Sequence, residues 1–242
     1  MIKQALEYIV GLREAKVLTI HDRQYSDKEL YKIYEYETAK AIEMSTLTSL
    51  MDYIQSEADR MAENMLIHVT APDKVQLISE LNIDRRRELL VTVQANLPKI
   101  RFNEFISQEE FIIMMQANFV DASDRKLVTS FAGNVEDKTV ANYGDDGVTQ
   151  KATVRTGLAS KEEYEVPNPV ILNPYRTFQE IQQISSEFVF RMRNNERVGV
   201  CCGLFEADGG AWRNRAVEAV AEYLRNCLAD VDVKGTKFTV IA

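Results

Sequence analysis

The 242-residue sequence predicts an α+β fold, with a mixed or mainly antiparallel sheet packed with helices. Three observations lead there. Strand-like and helix-like segments come in groups instead of alternating strictly, which disfavours a doubly wound parallel sheet. Two strand-like runs flank Ala71-Pro72-Asp73 and two more flank Asn194-Asn195-Glu196, so strands pair locally as hairpins. Helical stretches open on recognisable caps such as Ser107-Gln108-Glu109-Glu110, in which Ser107 and Glu110 each satisfy an orphan amide. No period of about twenty to fifty residues repeats, so a solenoid is not expected.

The elements follow in order. Residues 2–14 place Ile2, Leu6, Ile9, Val10 and Leu12 at roughly helical spacing, closed by Gly11 and a charged turn. Residues 17–20 read as a short strand. Ser26-Asp27-Lys28-Glu29 reads as a capping box for one helical turn, residues 30–36 as a Tyr- and Ile-rich strand, and residues 39–44 as its hairpin partner. Leu47, Leu50, Met51 and Ile54 define a helix face with Ser45 or Thr46 as the cap. Residues 65–70 and 74–79 form the first hairpin, and residues 88–95 a third adjacent strand.

Beyond the second capping box, Phe111, Met114, Met115 and Phe119 make an apolar stripe. A further helix, from about 124 to 134, turns Leu127, Val128 and Phe131 inward. Tyr143-Gly144-Asp145-Asp146-Gly147 reads as a turn or exposed loop, and residues 148–156 as a strand. Pro167, Pro169 and Pro174 break structure and leave extended edge segments. Residues 187–193 and 197–205 form the second hairpin. Residues 211–229 are the clearest helix, with Val217, Val220, Ala221 and Leu224 on one face and Trp212 as its anchor to the sheet. Residues 237–242 end the chain as an apolar strand, expected inside a sheet and covered on both faces. One domain over 1–242 holds these elements, its weakest joint near 141–150.

Composition narrows the class. A 45% hydrophobic and 27% charged chain is ordinary globular material, which argues against disorder. A net charge of -8 repels phosphate backbones unless a local basic patch overrides it, so general nucleic-acid binding is not expected. Cys201, Cys202 and Cys227 make an odd set without repeating spacing, which reads as reduced thiols of a cytoplasmic protein. The opening residues carry Glu7 early and lack a long apolar run, so no signal peptide is expected. The longest apolar stretches, such as residues 111–115, are too short to span a bilayer, and no membrane contact is expected.

Chemistry-bearing residues are sparse. His21 and His68 stand alone, without the second His, Cys or carboxylate that a metal site or a catalytic base needs. Cys201-Cys202 lie on a strand, where neighbours point to opposite faces, so at most one faces the core. Neither has a histidine nearby to activate it. Asp145-Asp146 lack the further oxygens of a calcium loop. Asp208-Gly209-Gly210 precede a helix whose first turns carry Arg213 and Arg215, and Gly-rich turns at helix starts can present amides to an anion. The Gly-Lys-Ser/Thr of a P-loop is absent, and Asp208 as N-cap with Trp212 as core anchor is the plainer reading. Asp84-Arg85-Arg86-Arg87 is the densest basic cluster, fit for a phosphate, an acidic partner patch or a charged turn. The candidate anion or partner contacts are therefore Arg85, Arg86, Arg87, Gly209, Gly210 and Arg213, with no catalytic residue, metal ligand or cofactor expected.

A set of blocks carries a family resemblance. These are Gly133-Asn134-Val135, residues 143–150, Val154-Arg155-Thr156-Gly157, Val166-Pro167-Asn168-Pro169-Val170, residues 174–178, residues 188–193 and residues 204–212, together with Asp84-Arg85-Arg86-Arg87. In these the chain resembles the YfdQ-like family over nearly its whole length. The family is a domain of unknown function typical of phages and prophages. The resemblance implies a phage or prophage gene product made in a bacterial cytoplasm, and it brings no catalytic residues with it.

Two functional classes follow. The first is a non-catalytic protein that works as a homo-oligomer or by binding a phage or host protein. The apolar side chains in the proline-punctuated stretch 166–178 motivate it, because such stretches make poor cores and good arms. The alternative is a phosphate or nucleotide binder, or an enzyme degrading such a molecule, that uses the Asp208–Arg215 turn and helix against host signalling.

Overall fold

A computed structural model of the chain describes residues 2–11, 15–20, 23–28, 39–83, 85–134, 150–155, 161–229, 231, 233 and 235–242. They divide into two compact units, residues 1–39 and 40–242. The expected joint near 141–150 falls almost wholly outside the described residues, as do the loop at 143–147 and the strand at 30–36.

The first unit contains helix α1 (Ile2–Gly11) and a hairpin of β1 (Val17–Ile20) with β2 (Arg23–Ser26), in which Val17 lies opposite Ser26. Strand β2 was not expected. The helical turn expected after Ser26 runs into residues 29 and 30, outside the described residues. Of the expected capping box the structure describes Ser26 Oγ accepting from the Lys28 amide at 3.2 Å, a local side-chain turn. Asp27 closes the hairpin by accepting the Lys16 amide at 2.7 Å. Apolar residues described in this unit stand open. Ile2 is 80% exposed, Leu6 56%, Ile9 57% and Leu18 56%.

The second unit holds two main sheets. A five-stranded sheet runs β13 (Lys237–Ile241), β4 (Asn64–Ala71), β5 (Lys74–Ser79), β6 (Leu89–Gln94), β3 (Ile42–Met44). Its three central strands are antiparallel neighbours and both edge strands pair in parallel. A four-stranded sheet runs β10 (Val170–Leu172), β11 (Ser186–Asn195), β12 (Gly199–Glu206), β7 (Phe105–Ser107), antiparallel throughout. Strands β8 (Gln150–Arg155) and β9 (Lys161–Val166) form a separate hairpin. The helices are α2 (Leu47–Ser56), α3 (Gln108–Asn118), α4 (Ser123–Asn134) and α5 (Ala211–Leu228). Helices and mostly antiparallel sheets make this an α+β fold. Among the described residues no helix is long and apolar enough to cross a membrane.

Local chemistry explains most of these elements. Thr46 caps α2 by accepting the Ser49 amide at 3.1 Å. Ser107 and Glu110 form the reciprocal capping box that starts α3. Two apolar clusters result. One joins α3 and α4 to the four-stranded sheet, with Phe111 and Phe131 both against Phe190. The other seats α2 and α5 on one face of the five-stranded sheet, around Leu50, Ile54, Met65, Leu77 and Leu224. Each fully buried Leu, Ile or Phe contributes about 1.5–3 kcal/mol relative to its exposed form, so the burial within these clusters is the main force holding the unit together.

Several local expectations are corrected. Residues 42–44 run parallel to β6, Ile42 opposite Val91, at the sheet's edge among the described residues, and their expected hairpin partner at 30–36 lies outside the described residues. Leu127 faces out at 42% exposure, while Val128 and Phe131 turn inward. Cys201 and Cys202 are both buried, because the outer face of the four-stranded sheet is itself covered. Arg193, opposite Cys201 in register, lays its guanidinium 4.1 Å from the Phe105 ring centroid. The C-terminal strand pairs in a sheet as expected, but as an edge strand clad on one face. Phe238 and Val240 are half-buried, while Lys237, Thr239 and Ile241 are exposed.

Candidate functional site

Residues 173–186 form a strap between the two apolar clusters. On one side the Tyr175 amide donates to Asn118 O and the Asn173 carbonyl accepts from Val120, both at 2.9 Å. On the other, Thr177 Oγ1 donates to Pro72 O at 2.5 Å, Phe178 is buried in the second cluster, and Glu180 accepts the Thr48 amide at 3.2 Å. Gln183 holds the bend. Its Oε1 accepts the Arg176 amide at 3.1 Å and its Nε2 donates to Phe178 O at 3.0 Å.

Arg176 is the centre of the strap and is only 7% exposed. A buried guanidinium needs partners, and both of its terminal nitrogens have them. Nη1 lies 2.9 Å from Glu206 Oε1, and Nη2 donates to Ser186 Oγ. Its Cζ sits 3.7 Å from the Trp212 ring centroid and 5.6 Å from that of Phe188. Burial pushes the Arg176 guanidinium down to about 10, and the charges of Glu206 and Asp208 limit the fall. The Trp212 indole nitrogen donates to the same Glu206 oxygen at 3.1 Å. Trp212 is buried, but it belongs to neither apolar cluster. It anchors α5 to this polar clamp at the end of β12 and not to a greasy sheet face.

The turn before α5 is arranged around Asp208. Gly210, at φ 82°, is the N-cap, a left-handed position that favours glycine. A Cβ there would lie 2.6 Å from Arg213 Nη1. Asp208 therefore caps from two residues earlier. Its Oδ1 accepts the Gly210 amide at 3.0 Å, and its Oδ2 accepts the Trp212 amide at 3.2 Å and Arg215 Nη2 at 3.3 Å. Burial raises the Asp208 pKa, but hydrogen bonds from the Gly210 amide, Ser186 and the Trp212 amide, with the Arg176 charge, outweigh it and hold the carboxyl below its usual range. Arg213 leans on Trp212, with Cζ 4.9 Å from the ring centroid. The amides that an external anion would use are thus bound to Asp208.

Arg85, Arg86 and Arg87 lie elsewhere. They occupy the exposed turn after β5, where the Arg85 amide donates to Asn82 O at 2.9 Å and Arg87 Nη1 to Ser79 O at 2.9 Å. Thr177, next to Arg176, touches the turn that precedes β5. The two halves of the candidate contact therefore sit at opposite ends of β5, about 17 Å apart along the strand. Gly209, Gly210 and Arg213 come together with Asp208 and Arg215, and the three arginines of the β5–β6 turn do not join them in one chain.

The remaining candidates carry little chemistry. Burial pushes the Cys202 thiol up to about 12, which keeps it from forming a thiolate. His68 lies mid-strand in β4, half-buried, while His21, Asp145 and Asp146 lie outside the described residues. Among the described residues no group of three or more His, Cys, Asp or Glu side chains could hold a metal ion. A shallow cleft of about 570 Å³ lies beside α5, lined by Gln183, Ser185, Arg215, Glu222, Tyr223 and Asn226. Arg215, its cation, is already paired with Asp208.

Sequence reasoning missed Arg176 and Glu206. The available signal was an arginine in an aromatic, proline-flanked run, Pro174-Tyr175-Arg176-Thr177-Phe178. A run of that kind packs inward, so the arginine has to find a carboxylate. No family model, curated protein or solved structure matches the chain.

Proposed function

We propose that this chain is a non-catalytic phage or prophage protein that acts in the bacterial cytoplasm through homo-oligomeric assembly, with its first unit forming part of the contact. One observation carries the reading. In α1 and the β1–β2 hairpin, Ile2, Leu6, Ile9, Val17, Leu18 and Ile20 are all more than half exposed. A unit of about forty residues is at the size where oligomerisation usually completes the core. Ile2, Leu6 and Ile9 share one face of α1, as a stripe that docks on a neighbour does. The phage context rests on the resemblance of the chain's sequence blocks to the YfdQ-like family.

The alternative of a phosphate or nucleotide binder loses its best donors to Asp208, and its basic turn lies at the far end of β5. Native mass spectrometry of the purified chain tests the assembly reading. The expected result is a multiple of 27.6 kDa at micromolar concentration, and the mass of a single chain would contradict it.

A further inference from the structure

The five-stranded sheet has β13 at one edge, next to β4. Lys237 donates its amide to Glu63 O at 2.7 Å, toward β4. In a strand the amide and carbonyl of one residue point the same way, and the direction alternates along the chain. Lys237, Thr239 and Ile241 therefore bond to β4, and Phe238 and Val240 direct their backbone groups out of the sheet. Among the described residues no strand pairs with that side.

We propose that this edge is where two copies of the chain meet, β13 pairing antiparallel with itself about a twofold axis at Thr239. The proposal rests on the homo-oligomer reading above and names one of its contacts. The strand is self-complementary in this register, as an isologous contact requires. Phe238 falls opposite Val240 of the partner subunit, and both residues direct their hydrogen-bonding groups outward. Thr239 falls opposite its own counterpart as the close, non-hydrogen-bonded pair. Lys237, the one charge of the strand, falls opposite Ile241 of the partner subunit, so no like charges face each other. The half-buried Phe238 and Val240 lie on the core face, so the pairing extends the apolar cluster across the axis and joins two five-stranded sheets into one.

The register gives a sharp test. Non-hydrogen-bonded antiparallel partners have Cα atoms about 4.5 Å apart, within the span of a disulfide, about 4.4–6.8 Å. Two copies of Ile241 lie about 13 Å apart along the strands in this register, beyond that span. Both side chains are exposed, so cysteine at either position leaves the core intact. The experiment oxidises full-length Thr239→Cys and Ile241→Cys proteins beside the wild type, runs non-reducing gels, and measures wild-type native mass in parallel. The expected result is a covalent dimer for most of the Thr239→Cys protein, with Ile241→Cys no higher than the wild-type background. An oligomeric wild type with no Thr239→Cys cross-link, or with equal cross-linking at 241, overturns the edge contact and leaves the assembly reading standing. A monomeric wild type overturns both.

Discussion

The guanidinium carbon of Arg176 lies 3.7 Å from the centroid of the Trp212 ring, and both side chains meet the same oxygen of Glu206. This triad ties the strap, the end of β12 and the start of α5 together where the two apolar clusters adjoin. The geometry of the 208–215 turn is thus explained by the fold's own needs. Its one carboxylate, Asp208, faces Arg215 and Arg176 of the same chain, and its Gly210 and Trp212 amides are bound to it.

The first prediction concerns that clamp. Truncating one partner of a buried ion pair strands the other, at a cost of about 3–5 kcal/mol. Urea unfolding of Arg176→Ala and Glu206→Ala is expected to show losses of that order. Arg176→Met, which removes the charge but fills the space, is expected to lose clearly less than Arg176→Ala. Equal stability of Arg176→Ala and the wild type would count against the clamp.

A second prediction concerns acid. Asp208 has a folded pKa held below its ordinary value of 3.8. The stability it contributes is therefore complete above that value and lost as pH falls through the lower, folded one. Melting midpoints followed from pH 6 downward should drop in the wild type below about pH 4. In Asp208→Asn the midpoint should start lower and fall less steeply. Parallel curves would show that Asp208 makes no such contribution.

Close approach of backbone supplies the third. A Cβ on Gly203 would lie 2.8 Å from Glu104 O and 3.1 Å from the Phe205 ring, where β12 meets β7. The Glu104 carbonyl cannot swing away without disturbing the β7 pairing. Gly203→Ala is expected to cost about 1–3 kcal/mol by overpacking. An unchanged midpoint in denaturant would refute the tight fit.

Local signals explain how much of this fold could be read in advance. The caps at Thr46 and Ser107 and the hairpin around residues 71–73 rest on chemistry within a few residues, and the structure places them as expected, while the second hairpin forms with its turn at residues 196–198 and with Asn194 and Asn195 paired in β11. The long-range contacts were opaque. Nothing near residues 42–44 says that they lie parallel to β6, and nothing near Cys201 says that Arg193 and Phe105 cover its face. The candidate site divides the same way. A glycine turn ahead of a helix was visible in Asp208-Gly209-Gly210, but its occupant depends on Arg176 and Ser186, brought in from the strap and the start of β11.

The open apolar face of α1 is the centre of the functional account, and sedimentation equilibrium on two full-length proteins tests it most directly. One is the wild type, and the other carries Leu6→Asp and Ile9→Asp, at residues 56% and 57% exposed, where the change leaves no buried charge in a single chain. The account predicts that the double variant falls to a smaller species, with a melting midpoint no higher than that of the wild type. A variant that assembles to the wild-type mass with unchanged affinity would contradict it.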